Sequence, residues 1–215
     1  MNNQNSSAAD KKGYDVFLNY AAVIIFPFSI IVLEAVLFHL LMIVSNYLQA
    51  TTVISIALFG IAFGGLVSFY LLRYSKTVVI IISAIIFTLS IGLSYYSIVR
   101  LDNFNFPWML IFPFFSGSVI VSAVFSRADS HMVYFTDLTA SALGVIFPII
   151  TVFYIKSENT LLILSILPLM YIFMQLFNLK NRGLMIFGQM ITLASVVFVI
   201  LFIIMNISVP RAINS

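Results

Sequence analysis

The chain has 215 residues, of which 62% are hydrophobic and 8% charged, with a formal net charge of +3 and a mean hydropathy of +1.15. Soluble domains carry about 25% charged residues, so this chain lacks the polar surface that water demands, and its apolar surface must face lipid. Its ten Lys and Arg residues form no stripe, which argues against a nucleic-acid partner, and the absence of Cys excludes disulfides, thiolate metal sites and thiol nucleophiles.

Residues 1–15 are polar and rich in Asn and Ser, which predicts a short disordered tail. The first apolar run is too long for a signal-peptide core and reads as a retained span. A helix rises about 1.5 Å per residue, so a crossing takes about 20 apolar residues. Seven runs qualify, roughly 18–43, 51–72, 77–98, 107–126, 132–155, 161–179 and 184–207. They predict an all-α transmembrane bundle over residues 16–208, followed by a short tail at 209–215. The runs are continuously apolar rather than alternating, which argues against a β-barrel. The breaks are too short to hold a soluble domain.

Charge in the breaks sets the expected orientation. With the N-terminus inside, Lys11, Lys12, Arg73, Lys76, Arg127, Lys180 and Arg182 are cytoplasmic, against Arg100, Lys156 and Arg211 outside. The excess inside predicts a multi-pass protein of the inner (cytoplasmic) membrane with its N-terminus in the cytoplasm. Trp108, Tyr95 and Tyr96 fall near the outer boundary, where interfacial aromatics belong.

Span one carries Glu34 and His39. An ionised acid near the bilayer centre costs roughly 2.5–3.5 kcal/mol, so it needs a partner, a watery cavity or a bound proton. Five residues separate Glu34 from His39, which points them about 140° apart on an ideal helix. Span two carries Gly60, Gly64 and Ser68 at four-residue spacing, a small-residue groove for packing within the chain or, alternatively, for a homodimer. Span four carries Ser118, Ser122 and Ser126 at the same spacing. Such hydroxyls either bond back to helix carbonyls or line a polar path. Pro27, Pro113, Pro148 and Pro168 lie inside spans and predict kinks.

Span five carries Asp137. It lies about 8 Å into its span, whereas Glu34 lies about 24 Å into a span running the same way, so a direct pair is not expected. Asp137 either caps span five at the interface or serves function. Each acid should instead meet a hydroxyl, a basic group or an amide such as Gln175 or Gln189. The isolated His39 and His131 predict no metal site. No nucleophile elbow, phosphate loop or dinucleotide loop is present, so neither a catalytic residue nor a cofactor is expected.

Leu33-Glu-Ala-Val-Leu-Phe-His39, Leu58-Phe-Gly-Ile-Ala-Phe-Gly-Gly65 and Tyr134-Phe-Thr-Asp-Leu-Thr-Ala-Ser-Ala-Leu-Gly144 resemble the membrane region of spermidine synthase-like proteins. That family joins a multi-span domain, similar to half of a major-facilitator transporter, to a soluble aminopropyltransferase-like domain. Glu34, Tyr134, Asp137 and Gly144 occupy matching positions. His39 stands where the family usually has arginine, and Ala140 where it usually has glycine. The resemblance implies a membrane part without its catalytic part. Glu34, Asp137, Tyr134 and His39 become candidate substrate-binding residues, and Gly60, Gly64, Ser68 and Gly144 candidate packing positions.

Three functions follow. The first is a non-catalytic membrane subunit or anchor that positions, or delivers a polar or cationic substrate to, a soluble transferase-like partner. The second is a small transporter or channel for an amine or ion, using the intramembrane carboxylates, with a homo-oligomer to complete it. The third is a lipid-modifying enzyme, whose usual marks are missing.

Overall fold

Backbone N–H and C=O groups in lipid must be satisfied within the segment itself, so each apolar run becomes one helix. The computed structural model describes residues 2–44, 47–100, 107–127, 130–155, 157–177 and 182–208. Its helices are α1 (Asn2–Val44), α2 (Tyr47–Leu71), α3 (Lys76–Arg100), α4 (Ile111–Phe125), α5 (Ser130–Tyr154), α6 (Ser157–Leu176) and α7 (Arg182–Ser208), with a 3₁₀ turn at Pro107–Leu110 leading into α4. No strand occurs among the described residues. The tail 209–215 and the loop charges Asp102, Asp129, Lys156 and Lys180 lie outside them.

Six helices are long and apolar enough to cross a membrane, which makes this a multi-pass membrane protein. The 161–179 run qualifies through Asn159–Leu176. The seventh run forms α7, a helix of 27 residues whose described apolar stretch is Gly188–Leu201. The first helix differs from expectation, because it starts at Asn2, within the segment whose composition suggests a disordered tail. Once a helix is nucleated in the span, each further residue costs little, so it runs back into Asn and Ser.

α1 lies at the centre, packed against α2, α4, α5 and α6. α3 packs on α4 and α6, and α7 packs on α6. Fully buried aromatics tie these layers together. The Phe26 ring meets Phe87 edge-on at 5.4 Å and Tyr171 at 5.2 Å. Tyr95 is buried in this core, whereas Tyr96 and Trp108 are exposed as interfacial aromatics should be. Phe59, Leu66, Phe69, Leu89 and Leu138 face outward.

Close approach at glycine decides two seams. A β-carbon on Gly60 would lie 2.8 Å from Phe114 Cβ, and one on Gly64 would lie 2.9 Å from Ser118 Cβ and collide with the Phe115 carbonyl. The groove of α2 is therefore filled by α4 of the same chain, and Ser68 is buried on that face. This corrects the homodimer alternative for these residues. Gly144 does the same for α5, with a β-carbon there 3.0 Å from the Phe28 carbonyl oxygen and 3.1 Å from Ile31 Cβ of α1. Pro27, Pro148 and Pro168 lie inside their helices. Pro113 does not act as a mid-helix kink. It falls in the first turn of α4, where its missing N–H had no helical acceptor.

Candidate functional site

Glu34 sits on the stripe Val23, Ile30, Leu37 and Leu41 of α1, whose other members are buried. Ile30 packs against Gly117, so this stripe meets α4, and Glu34 lies one turn from that contact. Asp137 sits on the stripe Val133, Ala140, Gly144 and Pro148 of α5, all buried, which meets α1 through Gly144. Both carboxylates are half-buried. The sequence-predicted acids thus lie on two seams of the central helix rather than on the lipid face.

The helix register keeps them apart. α1 and α5 cross in the same direction, with Gly144 level with Phe28 and Ile31. Glu34 lies three residues beyond Ile31, and Asp137 seven residues before Gly144. These steps amount to about 15 Å along the axes. No hydrogen bond or ion pair to another described residue is made by either acid. His39 is half-buried on α1 and makes no such bond either. Tyr134 is 59% exposed and points away from the α1 seam. The structure therefore does not gather Glu34, Asp137, Tyr134 and His39 into one pocket. Among the described residues, no three His, Asp or Glu side chains come together.

Two of the three serines in the α4 stripe are spent on backbone. Ser118 Oγ donates across the helix pair to the Ile61 carbonyl at 2.7 Å, and Ser126 Oγ donates to the Ala123 carbonyl at 2.8 Å. Ser116 likewise bonds within α4, to the Phe112 carbonyl at 2.7 Å. These hydroxyls glue helices and satisfy carbonyls, so they offer little to a permeating solute.

A second polar group lies at the end of the bundle where α3 begins, and sequence reading passed over it. Gln175 Nε2 donates to the fully buried Tyr171 hydroxyl at 2.6 Å. Gln175 is therefore engaged on its own helix rather than with a carboxylate, and its Oε1 is buried without a partner. Tyr14 donates to the Met174 carbonyl at 2.7 Å, tying α1 to the same turn of α6. Arg127 Nη2 donates to Thr77 Oγ1 at 3.1 Å, and Lys76 Nζ donates to the Ser126 carbonyl at 3.1 Å. Burial pushes Arg127 below its ordinary value, and the nearby Tyr171 and Asp15 oppose that shift. Two signals were present in the chain. Tyr171 and Gln175 stand four apart, the spacing at which helical side chains meet. Arg127 directly follows an apolar run, which reads as a topology marker until its neighbours are known.

No family model, curated protein or solved structure matches this chain.

Proposed function

We propose that the chain is a non-catalytic integral membrane subunit that positions, or delivers a polar or cationic substrate to, a soluble transferase-like partner. The observation that carries this reading is the pair of half-buried carboxylates on separate seams of α1, beside a core built mainly of apolar side chains. Ser116, Ser118 and Ser126 of α4 donate to carbonyls, which favours a scaffold over a polar conduit along that helix. The similarity of the Leu33–His39, Leu58–Gly65 and Tyr134–Gly144 stretches to spermidine synthase-like membrane regions supports a partner of that chemistry.

The test is purification in mild detergent from the native host, with mass spectrometry of what co-purifies. A stoichiometric soluble transferase-like protein is the expected result. A lone chain or homo-oligomer that moves an amine into liposomes, with flux abolished by Glu34→Gln or Asp137→Asn, would replace this reading with the transporter. Carboxylates inside spans commonly mark such paths, and that observation keeps the second reading in view.

A further inference from the structure

A groove of about 280 Å³ runs between α3, α6 and α7, lined by Ile81, Ile85, Leu169, Leu176, Gly188 and Ser195 among others. Its hydroxyls are turned inward to backbone. Thr88 bonds to the Ala84 carbonyl, Thr192 to the Gly188 carbonyl and Ser195 to the Ile191 carbonyl. The surface left for an occupant is apolar. Ile85, Leu89 and Ile191 are exposed, so the groove opens sideways to the membrane. From Ile81 to Leu89 it follows α3 for about 12 Å, close to the depth of one leaflet of an about 30 Å hydrocarbon core.

Two cations lie near one end of the groove, beyond its lining. Thr77, Ile81, Ile85 and Thr88 follow one another at spacings of four, four and three, which places Thr77 on the groove stripe one turn beyond Ile81. Arg127 donates to Thr77 through one of its five N–H groups, and Lys76 is anchored beside it on the last turn of α4. Asp15 shares the field of Arg127, so one positive charge among Lys76, Arg127 and Asp15 is left uncompensated by the other two.

We propose that this groove and its basic mouth form a binding site for one anionic phospholipid of the surrounding bilayer. One acyl chain fills the apolar groove, and the phosphate sits at Lys76 and Arg127. An acyl chain matches the lining, the lateral opening and the leaflet depth. The cations lie at the level where that lipid's headgroup must lie. The site is independent of any soluble partner and stands or falls apart from the subunit role.

Native mass spectrometry of the detergent-purified chain tests it, with phosphatidylglycerol and phosphatidylcholine of the same acyl chains offered in equal amounts. One retained phosphatidylglycerol is expected, preferred about fivefold, since one net basic charge beside an anionic lipid is worth about that factor. Lys76→Gln and Arg127→Gln should each remove the preference, and Ser195→Phe, which fills the deep end, should remove retention of both lipids. Equal retention of the two lipids by the unaltered chain overturns the proposal. So does a preference that survives Lys76→Gln, or full retention by Ser195→Phe. Lys76 is at the surface, so its variant and the competition on the unaltered chain decide the matter even where Arg127→Gln fails to fold.

Discussion

Glu34 and Asp137 are the costliest residues in the spans, and their positions make a quantitative expectation. Groups about 15 Å apart with no shared partner have additive energies, so the double-mutant cycle of Glu34→Gln and Asp137→Asn should show coupling below about 0.5 kcal/mol. Thermal unfolding in detergent measures it, and a coupling near 2 kcal/mol would mean that the two acids share a site. Tyr171 makes the opposite case. Tyr171→Phe strips the acceptor from a buried Gln175 that already has one unpartnered atom. The expected cost is about 1 kcal/mol, within the range for an orphaned polar group and for bonds inside membranes. Gln175→Leu in the Tyr171→Phe background should recover stability, because it removes the orphaned amide together with its need. Such pairs are legible by spacing alone, whereas the neighbourhood of Arg127 is not. Three separate helices bring Thr77, Tyr171 and Asp15 to it.

Helix pairing rests on small residues. Gly64 and Gly92 both sit in helix interiors, and the sequence treats them alike, yet their surroundings differ. A β-carbon at position 92 meets nothing within 4 Å, while one at position 64 runs into the backbone of α4. Gly64→Ala should therefore destabilise by about 1–3 kcal/mol, the usual cost of overpacking. Gly92→Ala should be neutral or stabilising, because alanine is the better helix former by roughly 1 kcal/mol. Detergent melting curves for the two variants give the comparison. Equal losses would mean that the α2–α4 seam is looser than the glycine contacts indicate. Four-residue spacing announced a close seam on α2, and only the packing shows that its occupant is α4 of the same chain.

Across the bundle, the alternation of helices sets which loops share a side. The chain has no cysteine, so single-cysteine variants carry an unambiguous label. Tyr74 and Trp108 are 76% and 68% exposed and lie at opposite ends of α3 and α4. With the N-terminus inside, Trp108→Cys should react with an impermeant maleimide on intact cells and Tyr74→Cys should not. The reverse pattern would invert the orientation expected from basic residues. The number of crossings is also decided at this level. Labelling from both sides at positions flanking α7 would show whether that helix completes a seventh crossing.

Length, hydropathy and charge were enough to place the spans within a few residues and to single out Glu34 and Asp137. Helix formation in lipid is local, because each segment satisfies its own backbone, and a charge in an apolar run is costly whatever surrounds it. Partnership is not local. That Glu34 and Asp137 stay about 15 Å apart depends on the register of α5 on α1, which the Gly144 and Phe28–Phe147 contacts mark. That Arg127, just past α4, reaches Thr77, one turn beyond an apolar groove between α3, α6 and α7, depends on how separate helices pack, an arrangement that periodicity within any one helix does not encode.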